Sequence, residues 1–386
     1  MTARVYQWRT GNRFELLIDG DNFFPRILAA LDQAVERIDI ELYLVDSGRS
    51  TRQWLEALQH ARRRGVQVRC LLDAIGTDGL SRRERLELEQ MGVQLQFYNP
   101  PSLFSGHRLF HRDHRKLFII DRRMAFVGGT GITDTFCQLD PETGRTPWHE
   151  QMLEVQGPVV EDWVDLFERI WEQGGRREKR GLSAVRGVHI PPVPAGGAGH
   201  GRVSYIGARE QKEVVVSLLA ALRRAEQRVW LATPYFLPSW RIRRALARAA
   251  KRGVDVRLLL CGMTIDHPPV RYAGQRFYTR LLKAGVRIYE YQPRFTHLKT
   301  ALVDDWVSLG SCNFDHWTLH WNLEANQQAV DPDLAQAVAE SFEQDFAESD
   351  LWTLAGWRRL TLWHRFKIRF WGQINRSVMW LFGIPR

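Results

Sequence analysis

The chain has 386 residues, of which 44% are hydrophobic, so it is long enough for two ordinary domains and its composition excludes wholesale disorder. The net charge of +10 indicates anionic partners: acidic lipid head groups, nucleic acid or phosphorylated small molecules. The four cysteines have no CxxC spacing, and no segment holds the roughly 18 apolar residues of a spanning helix. A disulfide framework, a zinc site and an integral membrane protein are therefore not expected.

The sequence contains one structural unit twice. Three sequence patterns recur at a nearly constant offset. The first two are a helix followed by a strand, and the second includes a glycine suited to end the helix. The matching ranges are 27–43 with 218–235, 54–69 with 242–257, and 91–100 with 284–293. Alternating helices and strands predict an α/β unit with a largely buried sheet, so the chain is interpreted as an internal duplication.

The domain boundaries follow from this repeat. Residues 1–173 are predicted to form the first domain and residues 203–351 the second. The range 174–202 is rich in glycine, proline and charge, which is typical of a linker.

The last segment, 352–386, has an unusual composition because it holds five of the fifteen tryptophans. Its apolar side chains recur three or four residues apart, and arginine or lysine fills other positions. This pattern fits a helix that lies in a bilayer interface, and it fits equally a helix packed on the protein body with its arginines in water. Both interpretations remain open from sequence. The apolar positions are Leu360, Trp363, Phe366, Phe370, Ile374 and Val378.

Two short motifs carry the chemistry, His114–Asp121 (HRKLFIID) and His297–Asp304 (HLKTALVD). Each has the pattern His-x-Lys-x4-Asp and is followed by a glycine-containing turn and then by a carboxylate, Glu150 or Glu324. On a strand, residues i and i+2 share a face, which places each histidine beside its lysine. Each aspartate has the opposite parity, so it is expected to orient the turn rather than to touch the same substrate atom.

If the two units pack about a pseudo-twofold axis, both motifs converge on one cleft suited to attack on a phosphodiester. One imidazole would attack phosphorus to give a phosphohistidine, and the other would protonate the departing alkoxide and later deprotonate an incoming alcohol. Lys116 and Lys299 would stabilise charge on the phosphate oxygens, so no metal is required. Spacing does not decide which histidine is the nucleophile. The predicted phosphate-binding residues in the turns are Gly129, Ser311 and Asn313.

The carboxylates are assigned supporting roles in the predicted catalytic set. Glu150 and Glu324 are candidates to hold each imidazole in one tautomer, with surface carboxylates as the alternative. Asp121 and Asp304 are grouped with the catalytic histidines and lysines, with turn formation as the alternative. A single His-x-Lys on a strand is usually an exposed face, but two copies at matching places in a repeat favour function.

These residues resemble the phospholipase D superfamily, whose signature is HxKxxxxD, usually followed by GSxN. The chain looks most like the bacterial cardiolipin synthases of the short type without N-terminal transmembrane helices, on the strength of the first motif, the segments 148–160 (WHEQMLEVQGPVV) and 234–238 (PYFLP). One departure is Gly131, which stands where the second turn has Asn313. One side-chain phosphate donor is therefore missing from the first half.

The resemblance implies two tandem α-β-α sandwich domains with the active site at their interface. It implies His114 as the nucleophile and His297 as the acid and base, with no cofactor. The implied reaction joins two phosphatidylglycerols into cardiolipin and releases glycerol, at the cytoplasmic face of the bacterial inner membrane. Two alternatives remain: a hydrolase acting on phospholipid or nucleic acid with the same residues, and an inactive basic scaffold at a membrane.

Overall fold

The computed structural model describes residues 5–101, 110–137, 144, 146–175, 188–194, 198–207, 213–315 and 318–381. Residues 176–187 and 195–197 of the predicted linker, and 382–386 of the tail, lie outside these ranges.

The first half alternates strands and helices as the sequence predicts. Its elements are β1 (Arg9–Ile18), α1 (Gly20–Gln33), β2 (Arg37–Leu42), α2 (Arg49–Arg63), β3 (Gln67–Asp73), α3 (Arg82–Gln90), β4 (Gln94–Tyr98), β5 (Lys116–Ile120), β6 (Met124–Gly128), β7 (Gln151–Gln156) and α4 (Val160–Trp171).

The second half repeats this order and adds a C-terminal extension. Its elements are β8 (Gly199–Ile206), α5 (Glu213–Arg224), β9 (Arg228–Thr233), α6 (Trp240–Lys251), β10 (Asp255–Cys261), α7 (Pro268–Gln275), α8 (Tyr278–Lys283), β11 (Arg287–Tyr291), β12 (Thr300–Val303), β13 (Trp306–Gly310), α9 (Thr318–Trp321), β14 (Glu324–Val330), α10 (Pro332–Ala347), β15 (Ser349–Trp352), α11 (Leu354–Arg358) and α12 (Leu362–Leu381).

All strands belong to one 15-stranded sheet in the order β15-β11-β10-β9-β12-β13-β14-β8-β1-β7-β6-β5-β2-β3-β4. Read outward from the central β1–β8 pair, the two halves have the same order, and only β15 is extra. β1 and β8 are antiparallel, with Arg9 opposite Gly201 and Asn12 opposite Gly199. An antiparallel pairing of equivalent strands is what a pseudo-twofold axis between the halves produces, which confirms the predicted duplication.

Helices cover both faces of the sheet, which confirms the predicted α-β-α architecture. Alternate residues of β5 enter different cores because side chains on a strand point to opposite faces. Phe118 and Ile120 pack with α1 and α2, whereas Leu117 and Ile119 enter a core that α4 and α10 share. This shared core contains residues from both halves, so the halves pack as one body. Among the described helices, none is both long enough and apolar enough to cross a bilayer.

Helix ends follow the sequence signals closely. Gly65 after α2 and Gly253 after α6 adopt φ of +89° and +94°, the left-handed conformation that lets the chain turn from the helix into the next strand. Pro332 lies in the first turn of α10, where its missing amide hydrogen costs nothing, and Asp331 caps the same turn by accepting from the amide of Leu334.

Candidate active site

Each histidine-bearing segment crosses over to pair with the other half. The amide of His114 donates to the carbonyl of Leu323 at 3.0 Å, and the amide of His297 donates to the carbonyl of His149 at 2.8 Å. Leu323 and His149 are the residues directly before Glu324 and Glu150. The pseudo-twofold arrangement therefore brings the histidine of one half to the glutamate of the other.

The side chains complete this exchange. His114 Nδ1 lies 2.8 Å from Glu324 Oε1, and His297 Nδ1 lies 2.6 Å from Glu150 Oε2. All four residues are largely buried. Since Nδ1 of each imidazole faces a carboxylate, Nε2 is left for chemistry.

Both histidines line one cavity of about 440 Å³. Lys116, Gly129 and Asn313 line the same cavity. Lys299 is fully buried beneath it, with its ammonium 3.8 Å from Glu150 Oε2. The ammonium of each lysine also donates a hydrogen bond at 2.6 Å to the backbone carbonyl of the histidine in the same motif. This bond holds the ammonium close to the histidine.

The family model described as "Cardiolipin synthase, PLD-like domain" matches residues 27–171 and 218–346. The chain belongs to this family.

Curated relatives agree with the family model. The chain is 30% identical over 363 residues to the "Probable cardiolipin synthase YwiE" of Bacillus subtilis, covering 94% of this chain and 71% of the relative. It is 33% identical over 328 residues to "Cardiolipin synthase B" of Escherichia coli K12, covering 83% and 76%. Among solved structures, a phosphatidylserine synthase of Haemophilus influenzae superposes with a TM-score of 0.73 at 14% identity, covering 95% and 94%, which shows a shared fold.

Burial sets the electrostatics of this phospholipase D-like site. Burial raises the pKa of Glu150 to about 7 and that of Glu324 to about 8, with the nearby lysines opposing both shifts. Burial lowers the pKa of both histidines well below the usual range, and the two lysine ammoniums lower it further. The buried site therefore favours neutral imidazoles, the form that a nucleophile needs.

Burial also lowers the pKa of Lys116 to about 7, although Glu324 opposes the shift. The pKa of Lys299 falls for the same reason. An anionic phosphodiester in the cavity would counteract burial, because its charge stabilises both ammoniums and the protonated form of an imidazole.

Of the three turn residues predicted to bind phosphate, Gly129 and Asn313 line the cavity and Ser311 does not. The Ser311 hydroxyl donates to Glu324 Oε2, so it supports the carboxylate rather than facing the cavity. At Gly129, a Cβ atom would lie 2.0 Å from Glu150 Oε2, so glycine leaves room for that carboxylate as well as lining the cavity. Asn313 lines the cavity as expected for a phosphate donor, and its equivalent Gly131 is confined by the carbonyl of Leu44.

The motif aspartates, grouped with the catalytic residues in the sequence analysis, lie at the far ends of their strands. Asp121 accepts hydrogen bonds from the amides of residues 35–37, and Asp304 accepts from those of residues 226–228, all at 2.8 to 3.0 Å. At roughly 3.3 Å per residue, Asp121 is about 16 Å along the strand from Lys116. The structure therefore corrects that grouping: these carboxylates fix the turn before β2 and β9, as their parity predicts.

Sequence reasoning missed a buried charged cluster behind Glu150. His149 Nδ1 lies 2.8 Å from Asp19 Oδ1, its Nε2 lies 3.0 Å from Asp345 Oδ1, and Arg294 also contacts Asp19. Burial opposes the charge on His149, but the hydrogen bonds to the two aspartates outweigh it and raise the pKa of His149 to about 9. Its partners are far apart in sequence, so no local signal pointed to them, although His149 stands directly before Glu150.

Aromatic side chains form much of the cavity wall. The Tyr43 ring meets the His114 ring edge-on at 4.6 Å, and the Lys116 ammonium lies 5.0 Å from the Tyr43 centroid. On the other side, the Trp148 ring centroid is 5.3 Å from that of His297. Tyr235 and Leu237, from the PYFLP segment, also line the cavity.

Proposed function

We propose that this chain is a phosphatidyltransferase that joins two phosphatidylglycerols into cardiolipin and releases glycerol. The observation that carries the proposal is the pair of imidazole–carboxylate contacts, each built across the two halves, that face one lysine-containing cavity. The curated relatives named cardiolipin synthase support the choice of lipid. In this proposal the predicted domains 1–173 and 203–351 act as two catalytic halves, and the second half begins with β8 at Gly199, inside the predicted linker 174–202.

The first step forms a phosphohistidine. Nε2 of His114 attacks phosphorus, a P–N bond forms, and the P–O bond to the departing glycerol breaks. His297, in its protonated form, gives its proton to that oxygen. Lys116, with Lys299 behind it, stabilises the charge that develops on the non-bridging oxygens, and Asn313 and the amide of Gly129 contribute hydrogen bonds.

The second step transfers the phosphatidyl group. A glycerol hydroxyl of a second phosphatidylglycerol enters, and His297, now neutral, removes its proton. The resulting oxygen attacks phosphorus, and the P–N bond breaks to restore neutral His114. Glu324 and Glu150 keep Nδ1 of each imidazole fixed throughout, which makes them positioning residues.

The surroundings of the two glutamates support this division of roles. Glu150 follows the buried, protonated His149, whereas Glu324 follows Leu323. A neighbouring cation favours the ionised form of Glu150, and an ionised carboxylate favours a protonated His297. Glu324 lacks this neighbour, so its partner His114 is better suited to remain a neutral nucleophile.

The substrate places the enzyme at a membrane. We infer peripheral binding at the cytoplasmic face of the bacterial inner membrane, because phosphatidylglycerol is a bilayer lipid and the chain is strongly basic. Apolar and aromatic side chains in the cavity wall support a lipid rather than a nucleic-acid substrate.

The test is to incubate the purified chain with phosphatidylglycerol vesicles in the presence of a chelator and to identify the products by mass spectrometry. Cardiolipin and glycerol in equal amounts are expected. Phosphatidic acid with glycerol would instead identify a hydrolase, and cleavage of single-stranded DNA without lipid turnover would identify a nuclease. Absence of all these products from wild-type protein would contradict the assigned chemistry.

A further inference from the structure

A second cavity lies away from the histidines, between α6 and α8 on one side and α11 and α12 on the other. Its volume is about 830 Å³, and among the described residues it shares no lining side chain with the catalytic cavity. Apolar side chains such as Phe277, Trp357 and Ile368 form part of the wall. Six arginines of the wall have no carboxylate within salt-bridge distance in the described part of the chain. They are Arg243, Arg280, Arg358, Arg365, Arg369 and Arg376.

One of these arginines, Arg243, is held partly out of water, whereas the other five are exposed. The Arg243 guanidinium lies 3.9 Å from the centroid of Phe277, and burial together with the nearby charge of Arg280 lowers the pKa of Arg243 to about 10. Like charges in one cavity repel each other, and an anion placed among them removes that repulsion. The cavity is therefore suited to an anionic group attached to an apolar body.

One side of α12 is an aromatic face, defined here as Trp363, Phe366, Phe370 and Ile374. The opposite side packs on the protein through Ile368, Gly372 and Met379, which are buried. Trp363 is 64% exposed, Phe366 52% and Phe370 47%, and these three rings stack in succession. Large apolar side chains exposed side by side mark an interaction surface.

The arginines on α12 lie between these two sides. At about 100° per residue, Arg365, Arg369 and Arg376 fall roughly 60–100° from Ile368, between the packed side and the aromatic face. A helix with its aromatic face in the bilayer interface would hold these guanidinium groups at the depth of the lipid phosphates. Charge and depth together identify the occupant as a lipid of the bilayer.

We propose that the arginine cavity binds the phosphate head group of an anionic phospholipid that remains in the bilayer, while the aromatic face of α12 lies in the bilayer interface. This site is non-catalytic and does not depend on which reaction the histidines perform.

α7 connects the two cavities and gives the site a consequence. His267 and Val270, at its beginning, line the catalytic cavity. At its end, Gln275 Oε1 lies 2.9 Å from His364 Nε2 of α12, and Arg276 donates to the carbonyl of Gly372 at 2.7 Å. α7 has eight residues, and at 1.5 Å per residue its two ends are about 12 Å apart. A lipid held by α12 would therefore set how the catalytic cavity meets the bilayer surface.

The experiment measures binding of the full chain to phosphatidylcholine vesicles with and without phosphatidic acid. Phosphatidic acid presents a phosphate without a head-group alcohol, so the reaction that displaces this alcohol is not involved. The double variant Arg358→Gln/Arg369→Gln should bind the acidic vesicles about 10- to 30-fold more weakly, because each arginine near an anionic surface contributes roughly fivefold. Arg82→Gln/Arg83→Gln, an equal loss of exposed charge on α3, should change binding less than about twofold.

Two further variants separate the parts of the proposal. Trp363→Ser/Phe366→Ser should weaken binding to both kinds of vesicle, and His114→Ala should bind as wild type does. Equal thermal unfolding of all variants shows that they are folded. Arginine variants that bind the acidic vesicles like their α3 control would overturn the proposal. So would release of the wild type by inorganic phosphate, but not by chloride of equal ionic strength, because the ligand would then be a soluble anion.

Discussion

His297 and Glu150 have a buried cation behind them, whereas His114 and Glu324 have an aliphatic side chain in the same place. His149, held by Asp19 and Asp345, occupies the position equivalent to Leu323. Duplication kept the imidazole–carboxylate geometry in both halves but changed the charge next to it. Two histidines in similar geometry can therefore be suited to different proton-transfer roles.

The glutamates are also held in different ways. Glu324 accepts from the Ser311 hydroxyl, whereas Glu150 accepts from the amide of Gln151 at 2.9 Å and occupies space that Gly129 leaves open. Glycine in one turn and serine in the other thus serve the same purpose, which is to fix a buried carboxylate. The difference shows that the two turns are not interchangeable, although their backbones are equivalent.

The largest expected effects come from removing the histidines, and they differ with the leaving group. His114→Ala should abolish turnover on every phosphatidyl substrate, because no nucleophile remains. His297→Ala should lower turnover of phosphatidylglycerol by about 10³-fold, within the range for loss of a general acid. With a p-nitrophenyl phosphatidyl ester, whose leaving group needs no proton, His297→Ala should retain a burst of p-nitrophenolate measured by stopped flow.

The labelled intermediate is the control for this comparison. Quenching His297→Ala with a denaturant at neutral pH after the burst should leave the phosphatidyl group on His114, because the P–N bond of a phosphohistidine is labile in acid. Label on His297 in the His114→Ala variant would reverse the assigned roles.

Replacing each glutamate by glutamine should lower kcat by about 10²-fold, since the imidazole loses the carboxylate that orients it. The pH profiles should differ. Activity should fall at low pH as His114 becomes protonated, and it should fall at high pH as His297 loses its proton. Glu150→Gln lowers the pKa of His297 and should move the basic limb down by about one pH unit. Glu324→Gln should leave the acid limb almost unchanged, because burial raises the pKa of Glu324 to about 8 and keeps it protonated at acid pH. Equal shifts of the same limb in both variants would contradict separate roles.

The duplicated fold could be predicted because its signals are local. Helix periodicity, the glycines Gly65 and Gly253, and the repeated motifs each lie within one unit. The approach of the two histidines followed from that symmetry alone. The contact of each histidine with the glutamate of the other half could not be predicted in this way. It depends on backbone pairing between residues that are far apart in the chain, such as Asp113 and Leu323.

Residues whose roles depend on packing were the least predictable. Ser311 is in the expected turn, but its hydroxyl points to Glu324 because the carboxylate is buried behind the turn. Asp19 was missed because its partner His149 is 130 residues away in sequence. By contrast, strand parity alone predicted that Asp121 would not share the histidine face.

The cation behind Glu150 should make stability depend on pH. His149 has its pKa raised to about 9 in the folded protein, so its stabilising contribution is complete below its unfolded pKa of about 6.5 and is lost as pH rises through about 9. His149→Gln should therefore reduce the free energy of unfolding by about 3 kcal/mol more at about pH 6 than at about pH 9.5. Urea unfolding of both proteins at each pH measures this difference, and a constant difference would show that His149 is neutral when folded.

The smallest effects should come from exchanging the turn residues between the halves. Gly129→Ser places a Cβ atom 2.0 Å from Glu150 Oε2, so the carboxylate must leave His297, and kcat should fall by about 10-fold or more. Ser311→Gly only removes a hydroxyl from Glu324, so the loss should be about threefold, equivalent to a fraction of one hydrogen bond. Steady-state kinetics on phosphatidylglycerol vesicles measure both. A smaller loss for Gly129→Ser than for Ser311→Gly would contradict this prediction. It would show that the Glu150 carboxylate can move away from a side chain at position 129 and still contact His297.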